Sequence, residues 1–94
     1  MKRFAALHTK VENELEAVLN ILRLDLPPKI YQEYFDLADR YAEYEICLDA
    51  LCNWIDDNNL PITSDVFDRL KAIGDLMQLE RDGVWEILQI HVKD

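Results

Sequence analysis

Apolar residues recur at steps of three and four through most of this chain, and that rhythm predicts helices. Phe4, Leu7, Val11, Leu15, Val18 and Leu22 form one stripe over the segment Arg3 to Leu22, with Lys10 and Glu14 opposite, as an amphipathic helix requires. Pro27-Pro28 cannot continue that helix but can open another. The second segment runs from Pro28 to about Arg40, with Ile30, Tyr34, Leu37 and Tyr41 on its inner face. An unbroken helix from Pro28 to Asn58 would be long for a domain of this size, so Asp39 to Glu43 is read as a tight turn.

The third segment, Glu43 to Asp57, separates core from charge. At about 100° per residue, Cys47, Ala50, Leu51 and Trp54 share one arc, while Glu45, Asp49 and Asp56 share a narrow arc on the other side. Leu48, Cys52 and Ile55 fall between the two and should give the acidic stripe an apolar border. Asn58-Asn59 tolerates a left-handed ending, and Leu60-Pro61 stops the helix. Thr63 is the expected N-cap of a fourth helix, with Ile62 placed to staple onto Phe67 and an inner stripe of Val66, Phe67, Leu70, Ile73 and Met77. Gly74 inside it implies the close approach of another helix. After Asp82-Gly83, the run VWEILQIHV fits either period; a short helix is preferred, because no second β-patterned segment exists for a strand to pair with.

These elements predict an all-α fold, a small bundle of four to five helices, with residues 1–94 forming a single helical domain. The expected core comprises Leu15, Val18, Leu37, Cys47, Leu51, Trp54, Phe67, Leu70 and Ile73. No apolar run approaches the roughly 18 residues of a membrane span, and His8, Thr9 and Lys10 interrupt anything resembling a signal-peptide core, so a cytoplasmic protein with no membrane contact is expected. Cys47 and Cys52 lie about 140° apart around a helix and cannot bridge, which agrees with a reducing compartment. Cys47 should be protected and Cys52 more reactive.

Charge changes the picture more than composition does. Between Tyr31 and Asp68 there are ten acids (Glu33, Asp36, Asp39, Glu43, Glu45, Asp49, Asp56, Asp57, Asp65 and Asp68) and one base, Arg40. That segment alone matches the net charge of −9 of the whole chain. Such clustering repels nucleic acid and speeds association with a basic partner. Catalytic chemistry is thin: two histidines near the termini, one serine at a helix start, two glycines, and no spacing that suggests a zinc ligand pair. The carboxylates all lie on a polar face rather than in the contrasting environments that acid-base catalysis needs. The expectation is therefore a binding protein and not an enzyme, with no cofactor, no metal and no nucleic-acid ligand. Among the tyrosines, Tyr34 and Tyr41 are assigned to the core, and Tyr31 and Tyr44 to a contact surface.

The run from Ala42 to Leu79 resembles the central portion of MafI-type immunity proteins, small acidic helical proteins that neutralise toxins delivered in contact-dependent competition between bacteria. The resemblance rests on Glu43-Tyr44, the apolar rhythm Cys47, Ala50-Leu51, Trp54-Ile55, the connector Asn58-Asn59-Leu60-Pro61-Ile62, and the helix ending in Gly74 to Met77. A glycine expected near the start of the third segment is absent. The resemblance implies direct inhibition of a cognate toxin domain, basic and commonly a nuclease. Helical geometry alone nominates Glu45, Asp49, Asp56 and Asp57 as partner-binding residues, with Tyr44 and Leu48 as neighbouring contacts. The alternative is an acidic helical adaptor or DNA-mimicking regulatory module that binds a basic protein.

Overall fold

The computed structural model describes residues 2–80 and 83–94, with side chains from residue 5 onward, so the expectations for the Phe4 side chain and for Asp82 lie outside the described residues. Five helices are present among them: α1 (Lys2–Ile21), α2 (Pro28–Asp39), α3 (Tyr44–Asp57), α4 (Ser64–Leu76) and α5 (Val84–Gln89). α1 packs on α2, α3 and α4, α2 also packs on α3, and α5 packs on α3 and α4. The radius of gyration of 12.7 Å is near the roughly 12 Å expected of one compact unit of this length. The fold is a small all-α single domain. No helix among the described residues is long and apolar enough to cross a membrane.

Local chemistry accounts for the helix ends. Pro28 sits in the first turn of α2, where a missing N–H costs nothing. α2 stops at Asp39; Ala42 takes a left-handed φ of 51°, and the Glu43 N–H donates to the Leu37 carbonyl at 2.8 Å. The turn thus forms without a glycine, by placing an alanine in a conformation that its Cβ disfavours. α3 ends in a Schellman motif: Asn59 has a φ of 48°, the Leu60 N–H donates to Ile55 and the Asn59 N–H to Asp56. Gln78 ends α4 in the same way, with a φ of 55°. The Thr63 hydroxyl accepts the Val66 N–H at 3.2 Å, as an N-cap should.

The core is built from Leu15, Val18 and Leu19 of α1, Leu48, Leu51 and Ile55 of α3, Leu70 and Ile73 of α4 and Leu88 of α5, all almost fully buried. Leu37 and Trp54, expected inside, are only partly buried and pack on its edge. Gly74 meets another helix as expected: a Cβ there would lie 2.9 Å from Cζ2 of Trp85 on α5.

The tail corrects one expectation. VWEILQ is helical, but the following residues do find a partner: Ile62 and Val92 form an isolated parallel bridge, with the Ile62 N–H donating to the His91 carbonyl at 2.9 Å and the Lys93 N–H donating to the Ile62 carbonyl at 2.8 Å. The Asp94 carboxylate then accepts the Ser64 N–H at 2.8 Å, and hydrogen bonding from the Ser64 side chain, followed by this backbone bond, holds its pKa below the usual value. The α3–α4 connector, unpatterned as a strand, supplies the partner because a single bridge needs only one extended residue on each side.

Candidate functional site

α3 presents its charge along one side. Glu45, Asp49, Asn53 and Asp56 fall within an arc of about 80°, with Asp57 beyond it. Glu45, Asp56 and Asp57 are exposed and Asp49 is half-buried. Glu33, Asp39 and Glu43, from the preceding segment, are exposed as well. The acidic ridge expected from the sequence therefore exists at the surface.

Its borders differ from expectation. Leu48, expected as a contact beside the ridge, is fully buried and belongs to the core, as do Cys52 and Ile55. α5 packs on α3 and sets Val84, Ile87 and Leu88 beside Cys52, which adds to the buried side of the helix. Cys52, expected to be the reactive thiol, is buried at 6% exposure, so both cysteines are enclosed. The Cys47 thiol donates to the Tyr34 carbonyl at 3.3 Å, and burial pushes its pKa up to about 12. A nucleophilic thiolate at neutral pH is incompatible with that environment.

Two of the tyrosines, Tyr41 and Tyr44, exchange roles, while Tyr34 packs against the core as assigned. Tyr44 is half-buried and turned to α1, where His8 meets its ring edge-on at 5.9 Å; burial, followed by the charges of Glu12 and Glu16, raises its pKa. Tyr31 donates its hydroxyl to Asn20 at 2.7 Å, beneath the Arg23 guanidinium. Tyr41, assigned to the core, is 61% exposed, because α2 ends before it and the helical period does not reach it. Ile46, at 53% exposure, stands on the outer face of α3 near the acids. Its position on the helical wheel is a signal the sequence does carry: it falls outside the apolar arc.

Asp56 has a tertiary partner. Its Oδ1 lies 3.0 Å from Nε2 of His91, which is only 7% exposed. A carboxylate can only accept, so Nε2 carries the proton in this contact. The bond joins the end of α3 to the tail beyond α5.

A second acidic group lies elsewhere. One ligand oxygen from each of Glu12, Glu16 and Asp39 falls within 4.8 Å of the others, a set that could hold a cation through carboxylates from α1 and α2. Burial raises the pKa of Glu16, with Glu12 and Asp39 adding to the effect. Glu12 and Glu16 stand one helical turn apart on α1, an ordinary spacing, and only the fold brings Asp39 of α2 to them. Comparisons with family models, curated proteins and solved structures give no match for this chain.

Proposed function

We propose that this protein is an immunity-type inhibitor that binds a cognate toxin domain, a basic nuclease, and blocks it without catalysis of its own. The observation that carries the reading is charge: nearly all the excess acid lies between Tyr31 and Asp68, and most of those carboxylates are at the surface around α3. A nuclease must present Lys, Arg and His to phosphate, so an acidic ridge can occupy that surface with favourable steering. The resemblance of Ala42 to Leu79 to MafI-type immunity proteins supports the same reading, with action in the cytoplasm. Glu45, Asp49, Asp56 and Asp57 are the proposed contacts, joined by exposed Ile46.

The test is binding of the full chain to a toxin domain encoded at the same locus, measured at two ionic strengths, together with rescue of cells that express the toxin. Asp49→Lys combined with Asp57→Lys should slow association about ten-fold or more at low salt and weaken its salt dependence. Asp56 is spared because it holds His91. Unchanged kinetics with full rescue would remove α3 as the contact surface. Failure of the wild type to bind or protect would overturn the inhibitor reading.

A further inference from the structure

Where α5 crosses the end of α3, a cleft of about 50 Å³ opens between Cys52, Asn53 and Asp56 on one side and Val84, Ile87 and Leu88 on the other. In space that a water-sized probe can fill, this holds roughly three to five such groups. Its α5 wall is aliphatic, and its α3 wall ends in a carboxylate and an amide. We propose that this cleft is the anchor socket for one lysine or arginine side chain of the basic partner. The aliphatic stem lies against Val84, Ile87 and Leu88, and the cationic head meets Asp56. The proposal rests on the inhibitor reading for the identity of the partner, and on the cleft for the site.

Size and chemistry agree. Lys and Arg carry stems of three or four methylenes that favour apolar contact while the charged head stays hydrated or paired. A stem of that length matches the room available. The acceptor is also positioned in advance. Asp56 is held by His91, and His91 is itself fixed by the hydrogen bond from the Ile62 N–H to its carbonyl. His91 uses one of the roughly four lone-pair sites of the carboxylate, so the group keeps capacity for a second donor. An acceptor ordered before binding loses less freedom on association than a mobile surface carboxylate. The exposure of Ile87, at 44%, and Ile90, at 69%, leaves an apolar shoulder beside the opening for the anchor residue's neighbours.

The experiment uses the full chain, isotopically labelled, with Nα-acetyl-arginine amide and Nα-acetyl-lysine amide as probes and the citrulline analogue as uncharged control. At low ionic strength the cationic probes should give saturable NMR shifts at the amides of Asn53, Asp56, Val84, Ile87 and Leu88. Asn53→Arg, three residues from Asp56 on the same side of α3, lays the protein's own guanidinium across the cleft and should weaken probe binding about ten-fold or more. Ile87→Phe fills the cleft without adding charge and should do the same, whereas Asn13→Arg on α1, a charge-matched control, should not. Equal shifts with the citrulline analogue, or non-saturating shifts spread over the acidic surface, would overturn the socket. A concentration-dependent dimer abolished by Asn53→Arg would assign the cleft to a second copy of this chain and also overturn it. Binding of the toxin domain by Asn53→Arg at wild-type affinity would overturn the anchor while leaving the inhibitor reading intact. Saturable probe binding with no capture of the toxin domain would overturn the inhibitor reading and retain the socket.

Discussion

Gly74→Ala tests the contact that seats α5 on the bundle. In a helix interior the change to alanine gains about 1 kcal/mol of propensity. Against this, the new Cβ would lie 2.9 Å from Cζ2 and 3.5 Å from Cη2 of Trp85. Carbon atoms are at ease at about 3.5 Å or more, so the indole must retreat by roughly 0.6 Å. It cannot do so freely, because it meets Phe67 edge-on at 6.4 Å with an interplanar angle of 88°. Overpacking of this kind costs about 1 to 3 kcal/mol, so the net effect should be a loss of about 0 to 2 kcal/mol. Each kcal/mol lowers the melting temperature by about 4 to 8 °C in a domain this small. The decisive comparison is with a Trp85→Ala background, where the obstacle is gone and only propensity remains. There Gly74→Ala should stabilise by about 1 kcal/mol, giving a coupling of about 1 to 3 kcal/mol in the double-mutant cycle. Urea unfolding followed by far-UV circular dichroism measures all four proteins on one scale. An equal gain from Gly74→Ala in both backgrounds would refute the packing of Trp85 on α4.

Ala42→Gly should stabilise the protein by about 0.5 to 1 kcal/mol, because glycine adopts the left-handed φ of 51° without the Cβ penalty; a lower urea midpoint would contradict the turn geometry. Cys47 has a native pKa of about 12 against an ordinary 9.0, so its contribution is intact below about pH 9 and is lost as pH rises toward 12. Tyr34 and Tyr44, also raised by burial, act in the same direction above their ordinary value of 10.0. Urea midpoints between pH 8 and 10.5, about the range where the unfolded thiol ionises, should therefore fall, and fall less in Cys47→Ala. Both thiols should label slowly in the folded state, and rapid labelling of Cys52 would contradict its enclosure by α5. Glu16 has a raised pKa, so its contribution is full below the ordinary 4.5 and declines as pH rises through its native value. Glu16→Gln should accordingly raise the melting temperature at neutral pH, with a gain that shrinks as salt screens Glu12 and Asp39.

Local chemistry was readable along the chain wherever a residue's own neighbours decide its conformation. Thr63 caps α4, Asn59 turns left-handed after α3, Pro28 opens α2, and the apolar stripes of α4 and of α1 from Val11 onward face the core, though Leu7 at the head of the α1 stripe is exposed. Charge segregation was equally legible, since it needs only a count of acids by segment. Tertiary structure decided what the stripes meet. Periodicity gives direction around a helix axis but not how many neighbours cover it. Leu48 and Cys52 therefore belong to the core and not to the ridge border, with α5 packed beside Cys52, and His91 is a buried partner of Asp56. Tyr41 emerged and Tyr44 turned inward because the break at Asp39 reset the helical phase between them. The cleft at Asp56 and the trio of Glu12, Glu16 and Asp39 have no signature in the chain, because each joins side chains from separate helices whose meeting depends on how the bundle closes.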